Sequence, residues 1–289
     1  MVGIPNDFAF LSDDIIVDVL QLAYFERLRD YKIKPFGGRW GEIGKKFCDF
    51  KLFDNEIKEY RLDGHSESFA AAAKNRKDVA VNSLWFSEKS DFNQIEHLVA
   101  DAYESLAVCY KMVPNEFLEN LGTRFTKIIW WTGIRNQTNG EIEFLKRQLK
   151  SPHLRILRCN SPFLTRPDFT DLLVDFVRKK NFETLKDQLR SKESISERVF
   201  HAAYEAWLKR REGEHLQSSI FARISTEDLH KLTAKIPNCS WNKRIKDSVT
   251  EWSYSERHPT ADHYKMLMLC NFVPSGLKEL QMSLSEQNT

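Results

Sequence analysis

Apolar residues recur along this chain with a helical period in its first part and with alternating strand-like and helical runs further on. From Ser12 to Arg29 the spacing is helical. Ile15, Ile16, Val19, Leu20 and Ala23 fall on one face, Ser12 is placed to cap the first turn, and Asp13 and Asp14 suit its dipole. A face of this kind buries against the rest of the chain or against a partner helix. Pro35 and Gly37-Gly38 then interrupt the chain, and Arg39-Trp40-Gly41-Glu42-Ile43-Gly44 leads into a short helix through Phe47. Residues 49–62 read as loop and short strand, and Ala70 to Ala73 as part of another short helix. The character of the sequence changes near residues 65–78. That places a helical region over 1–65 and a second domain over 79–280.

From Val79 a short apolar strand, a loop and an amphipathic helix follow one another repeatedly. The strand candidates are Val79 to Phe86, Phe125 to Trp131, His153 to Cys159, Phe182 to Leu189 and His215 to Phe221. The last four start 28, 29 and 33 residues apart. Helical faces lie between them: Ile142, Leu145 and Leu149; then Phe169, Leu172, Leu173, Phe176 and Val177; then Ile195, Val199, Ala202, Ala203 and Ala206. Ser225-Thr226-Glu227-Asp228 caps a further helix that buries Leu229, Leu232 and Ile236. Trp241, Trp252 and Tyr254 lie in a segment of strand or loop, His263 to Cys270 reads as a short strand or helix, and the tail from Leu280 is polar and frayed. The expected fold class is therefore α/β: a short N-terminal helical region followed by a degenerate leucine-rich-like strand-helix repeat domain. The competing arrangement is a mixed α/β domain with parallel strands.

Composition narrows the functional classes. Hydrophobic residues make up 42% and charged residues 29% of the chain, which fits a folded domain. With 20 Phe, 8 Tyr and 7 Trp, aromatics are numerous enough to serve both a core and an interface. The formal net charge of +2 provides no global field for nucleic acid, so no nucleic-acid partner is expected. The basic clusters Lys146-Arg147, Arg178-Lys179-Lys180 and Lys209-Arg210-Arg211 sit near the ends of expected helices, where a cation meets the favourable end of the dipole. Cys48, Cys109, Cys159, Cys239 and Cys270 are widely spaced and read as buried free thiols in a reducing compartment. Asp13 and Asp14 interrupt any signal-peptide core, and no apolar run approaches the roughly 18 residues of a membrane span. A cytoplasmic location follows, with the nucleus also open to it, and no membrane partner is expected.

No nucleophile elbow, phosphate-binding loop or His-Glu-x-x-His motif is present, so no catalytic residue, cofactor or metal site is assigned. His258, Asp262 and His263 match no common metal spacing, and His201 with Glu205 reads as an ordinary helical surface pair.

A family resemblance rests on two parts of the sequence. The first is Ile4-Pro5, the helix of mixed acidic and apolar residues, and Trp40-Gly41-Glu42-Ile43-Gly44. The second is Phe144-Leu145-Lys146-Arg147-Gln148-Leu149-Lys150-Ser151-Pro152-His153-Leu154-Arg155, together with Thr126 to Trp131 and Asp168 to Lys180 followed by Phe182-Glu183. Over most of its length the chain resembles the large nematode-expanded group of F-box-like proteins; a typical F-box opens on Leu-Pro shortly before its first helix, and the nearest match here is Ile4-Pro5, well ahead of Ser12. The resemblance implies a substrate-recruiting adaptor of a cullin ubiquitin ligase, with residues 4–48 docking a Skp1-type protein and residues 79–270 presenting the recognition surface to an unknown protein substrate. The anchors expected in that docking are Ile15, Ile16, Val19 and Leu20, with Trp40 as anchor or local core. The alternative is a repeat-based protein-binding module with no ubiquitin-ligase role.

Overall fold

The computed structural model describes Ser12 and residues 50–54, 56–59, 66–68, 81–94, 105–109, 112–131, 138–160, 162–187, 194–210, 218–237, 242–246, 249–259, 264–272 and 278–286. Among these the chain is mixed α/β. Its strands are β1 (Phe50–Phe53), β2 (Glu56–Glu59), β3 (Ser66–Ser68), β4 (Val81–Phe86), β5 (Ser105–Cys109), β6 (Lys127–Trp131), β7 (Ile156–Cys159), β8 (Thr184–Asp187), β9 (Ser218–Ile224), β10 (Asn242–Lys246), β11 (Val249–Arg257), β12 (Tyr264–Phe272) and β13 (Lys278–Glu286). Its helices are α1 (Asn115–Asn120), α2 (Asn139–Lys150), α3 (Pro167–Val177), α4 (Glu197–Lys209) and α5 (Thr226–Lys235). All strands join one 13-stranded sheet in the order β10-β11-β12-β13-β9-β8-β7-β6-β5-β4-β1-β2-β3.

From β4 to β9 the strands lie side by side in chain order, and every pair is parallel. A crossover between parallel neighbours is right-handed. A strand order that never reverses therefore places successive crossover helices on one face. Helices α1 to α5 accordingly form a single row, each packed against the next. The strands alternate to match. Leu84, Leu106, Ile128, Leu157, Leu185, Ile220, Met282, Met268 and Tyr254 stand opposite one another in register across successive strands, and all are buried. This continuous row is the floor on which the helices sit.

Helices α2, α4 and α5 begin at side-chain caps, whereas α1 and α3 start without one. Thr138 and Glu141 close a capping box on α2, and the Ser225 side chain accepts from the Asp228 backbone N–H at the start of α5. The C-terminal ends of α1, α2 and α3 are closed by cations from the following unit. Arg147 donates to the carbonyls of Leu118 and Leu121 at 2.5 and 3.2 Å, Lys179 to those of Leu149 and Ser151 at 2.7 and 2.5 Å, and Arg210 to that of Lys179 at 3.2 Å. Donor and acceptor are 26 to 31 residues apart in each case, so the contact recurs unit by unit. The three basic clusters do lie at helix ends, and one member of each satisfies carbonyls that the preceding helix leaves open.

Lys179 offers a test of this arrangement. Burial pushes its amine down from 10.5 to about 8, and Asp175 opposes the shift only in part. Between those values the unfolded chain binds more protons than the folded one, so stability rises with pH through that interval. The neutral amine still donates to both carbonyls, so the contact survives loss of the charge. A Lys179→Met chain is expected to melt lower than the parent at neutral pH and to lose this rise. Thermal midpoints at neutral pH and near pH 10 check both.

Several expectations meet the structure here. The five strand candidates correspond to β4, β6, β7, β8 and β9, and the four helical faces to α2, α3, α4 and α5. One unit had no counterpart in the sequence reading: β5, a short apolar run, and the single-turn-and-a-half α1 lie between β4 and β6. The C-terminal tail needs correction. It is not frayed from Leu280 but forms β13, paired antiparallel with β9 on one side and β12 on the other. Leu280 and Met282 are buried, while Gln281 and Ser283 alternate with them. His263 to Cys270 resolves as strand, since β12 covers Tyr264–Phe272. The helical segments expected over 12–29, 39–47 and 70–73 lie outside the described residues, apart from Ser12. So does most of the boundary expected at 65–78. On either side of it, β1 pairs parallel with β4.

Candidate functional site

The helices occupy one face of the sheet, and the opposite face presents the alternate residue of each strand. Trp85, Ala107, Ile129, Arg158, Lys186 and Phe221 form one register row there, from β4 to β9. A second row runs Ser83, Ser105, Lys127, Ile156, Thr184 and Ser219, and Cys109 stands opposite Trp131 beyond the first. Trp85, Ile129, Trp131, Arg158, Lys186 and Phe221 are all half-buried. Ala107 and Cys109 are buried among them, small side chains flanked in register by Trp85 on β4 and by Ile129 and Trp131 on β6.

Two cations stand in the middle of this row. Lys186 Nζ lies 5.2 Å from the centre of the Phe221 ring, a cation–π contact. Among the described residues, neither the buried Nε of Arg158, the register neighbour of Lys186, nor the buried indole Nε1 of Trp131 has a hydrogen-bond partner. Arg147 Nε and the indole Nε1 of Trp130 and Trp207, on the helix side, share this feature, so it does not by itself set the open face apart.

One end of the face is held by Asp54. Its φ of 54° turns the chain tightly after β1. Its backbone N–H donates to the Trp85 carbonyl at 2.7 Å. Its carboxylate accepts from the Ser87 backbone at 2.7 Å, the Ser87 hydroxyl at 3.0 Å and the Ser90 hydroxyl at 2.6 Å. These bonds fix the end of β4 and hence the position of Trp85. Burial, and then the Asp54 charge, push the Cys109 thiol upward. Both effects disfavour the thiolate that a nucleophilic cysteine needs.

The residues weighed for chemistry have structural surroundings. His258 is buried, with Nε2 2.9 Å from the Trp207 carbonyl and its ring edge-on to the Trp207 ring. Asp262 and His263 lie outside the described residues. His201 Nδ1 is 3.8 Å from Glu205, whose carboxylate also meets Arg178 at 3.1 Å, which is the surface pairing that the helical spacing implies. Cys109, Cys159 and Cys270 are buried thiols outside any disulfide among the described residues; Cys48 and Cys239 lie outside the described residues. Among the described residues no cluster of His, Cys, Asp and Glu is arranged to hold a metal ion, and no helix is long and apolar enough to cross a membrane.

The partner-binding residues expected from the sequence, Ile15, Ile16, Val19, Leu20 and Trp40, lie outside the described residues. The open-face residues were not singled out by sequence reasoning. A signal exists in Lys127-Ile128-Ile129-Trp130-Trp131, where both alternating positions carry large apolar groups. Choosing the exposed set requires knowing which face the helices cover. Compared with known protein families, with curated proteins and with solved structures, the chain has no match in any of the three.

Proposed function

We propose that this chain is a non-catalytic recognition protein that holds a protein partner on the open face of its sheet. The observation that carries this reading is the row of Trp85, Ile129, Arg158, Lys186 and Phe221 on the face opposite the helices. Aromatic and arginine side chains that remain half-exposed on rigid strands make effective interface anchors. The scaffold is read as a degenerate leucine-rich-like repeat. In-order parallel strands, a single row of helices and the recurring cation contact at helix ends support that reading.

The resemblance joins a second role to the first: substrate recruitment for a Skp1-cullin-type ubiquitin ligase. In this reading residues 4–48 dock the Skp1-type adaptor. Ile15, Ile16, Val19 and Leu20 supply a few buried anchors in a partner groove, with Trp40 beside them or in the local core. Replacing Ile16 and Leu20 together with aspartate is expected to abolish binding of a purified Skp1-type protein while leaving the thermal midpoint unchanged. Lost binding with a lowered midpoint assigns these residues to the chain's own core. An unmodified chain that fails to bind Skp1 ends the ubiquitin-ligase role.

That last result would leave a repeat-based binding module without a ubiquitin link. The pairing of β1 with β4, and of β2 and β3 beyond it, favours this second reading, because it makes β1, β2 and β3 the end strands of the scaffold itself. A stacked repeat needs its first unit covered.

A further inference from the structure

We infer that the open face selects an acidic segment of a partner protein that also carries aromatic or aliphatic side chains, and that Arg158 and Lys186 read its charge. The inference rests on the recognition role proposed above and names the chemistry of what is recognised.

Charge on the two faces is distributed differently. On the helix side cations are matched within the chain: Lys146 with Glu143 and Asp168, Arg166 with Asp168, Arg178 with Glu205, Arg198 with Asp171, Lys231 with Glu227, and Lys235 with Glu197. On the sheet side, Arg158 and Lys186 are adjacent in register, and no aspartate or glutamate occupies an open-face position from β4 to β9 among the described residues; at the end of β9, Arg223 stands opposite Glu279 of β13. Arg158 and Lys186 enter no ion pair among the described residues. The contact seen for Lys186 is with the face of Phe221, and Arg158 Nε is buried without an acceptor. The chain is close to neutral as a whole, so this is a local imbalance.

A half-buried guanidinium without an acceptor is less stable than one bonded to a carboxylate, and a planar arginine can meet a carboxylate through two parallel hydrogen bonds. The flanking positions are apolar: Trp85, Ile129 and Trp131 to one side and Phe221 to the other. They offer burial to aromatic or aliphatic groups, not to the solvated backbone of a charged polymer. Ile129, Arg158, Lys186 and Phe221 occupy four adjacent strands, which spans about 14 Å at the usual strand spacing. About five extended residues of a partner cover that distance. The next row adds one further cation, Lys127, and is otherwise neutral, with Ser83, Ser105, Thr184 and Ser219 small, so Lys127, Arg158 and Lys186 form a short central cluster and not a track that follows a phosphate backbone.

The test uses the full chain, immobilised, with fluorescein-labelled pools of short randomised peptides. One pool combines Asp and Glu with Phe, Leu and Trp, a second replaces the acids by Lys and Arg, and a third keeps the acids without aromatic or aliphatic residues. An oligothymidylate serves as competitor. The first pool is expected to be retained at least about tenfold better than either other pool, and retention should fall with added salt. Arg158→Glu with Lys186→Glu should abolish the preference, and Trp131→Ala should weaken retention separately, both with unchanged thermal midpoints. Equal retention of the basic pool, retention unaltered in the double variant, or displacement by the oligothymidylate overturns the inference. In those cases the chain still binds a ligand, and the recognition role stands with a different selectivity or site. Retention of no pool at all removes the peptide-recognition role along with the inference.

Discussion

A chain that stops at Leu277 is expected to lose its cooperative unfolding transition and to leave solution on mild heating. The missing strand, β13, lies inside the sheet and pairs along its length with β9 and β12. Without it, two internal edges lose their backbone partners, and β10 to β12 lose their connection to the parallel strands. Leu280 and Met282 disappear from the buried row, which uncovers Ile220, Met268 and Ala222 beside them. Each fully buried side chain of this size contributes about 1.5–3 kcal/mol, against a total stability of about 5–15 kcal/mol for a typical domain. The loss of several such groups and two ladders exceeds that margin. Circular dichroism melting and size-exclusion chromatography of the truncated and full chains check it. An unchanged midpoint would mean that the last strand is dispensable.

Replacing Phe176 with alanine is expected to lower stability by about 3–5 kcal/mol. Phe176 lies at the centre of the apolar face of α3 and is fully buried. Its ring meets Phe182 edge-on at 5.1 Å, and Lys179 lies 5.2 Å above it. Truncation removes the ring from a site bounded by a strand, the helix end and the lysine that closes α2, none of which is free to collapse inward. Urea denaturation measures the change through a shifted midpoint at constant slope. A change below about 1 kcal/mol would place the face in solvent, outside the usual range for a buried aromatic.

These two positions differ in how far the sequence announces them. The α3 face is evident because Phe169, Leu173, Phe176 and Val177 repeat at helical spacing over about two and a half turns, and nothing polar interrupts that face. The last strand is hidden because Leu280-Gln281-Met282-Ser283-Leu284 alternates with polar residues near a terminus, a pattern shared by solvated tails and half-buried strands. Two long neighbouring strands decide between those outcomes by supplying backbone partners. β5 escapes notice for another reason: Ser105-Leu106-Ala107-Val108-Cys109 has no alternation to mark it, since its small residues are buried on both faces. The basic clusters are legible as helix-end features, but their partners are not. A cation near a helix end has the same local signal whether it faces water or reaches carbonyls some thirty residues earlier, as Lys179 does at a separation of 30 and 28.

By itself, the sequence determined the mixed α/β class, the strands β4, β6, β7, β8 and β9, and the helices between them, because each of these depends on local periodicity and capping. The same periodicity marks Ile15, Ile16, Val19 and Leu20 as one face without saying what covers it. The tertiary structure alone decided which side of each strand is open. In-order parallel strands joined by right-handed crossovers put all the helices on one side, and that choice leaves Trp85, Ile129, Trp131, Arg158, Lys186 and Phe221 on the other. It also brought these residues, drawn from separate units of the chain, into adjacent register. No local pattern encodes that juxtaposition, because register between strands is set by the hydrophobic row beneath them and by the pairing of neighbours.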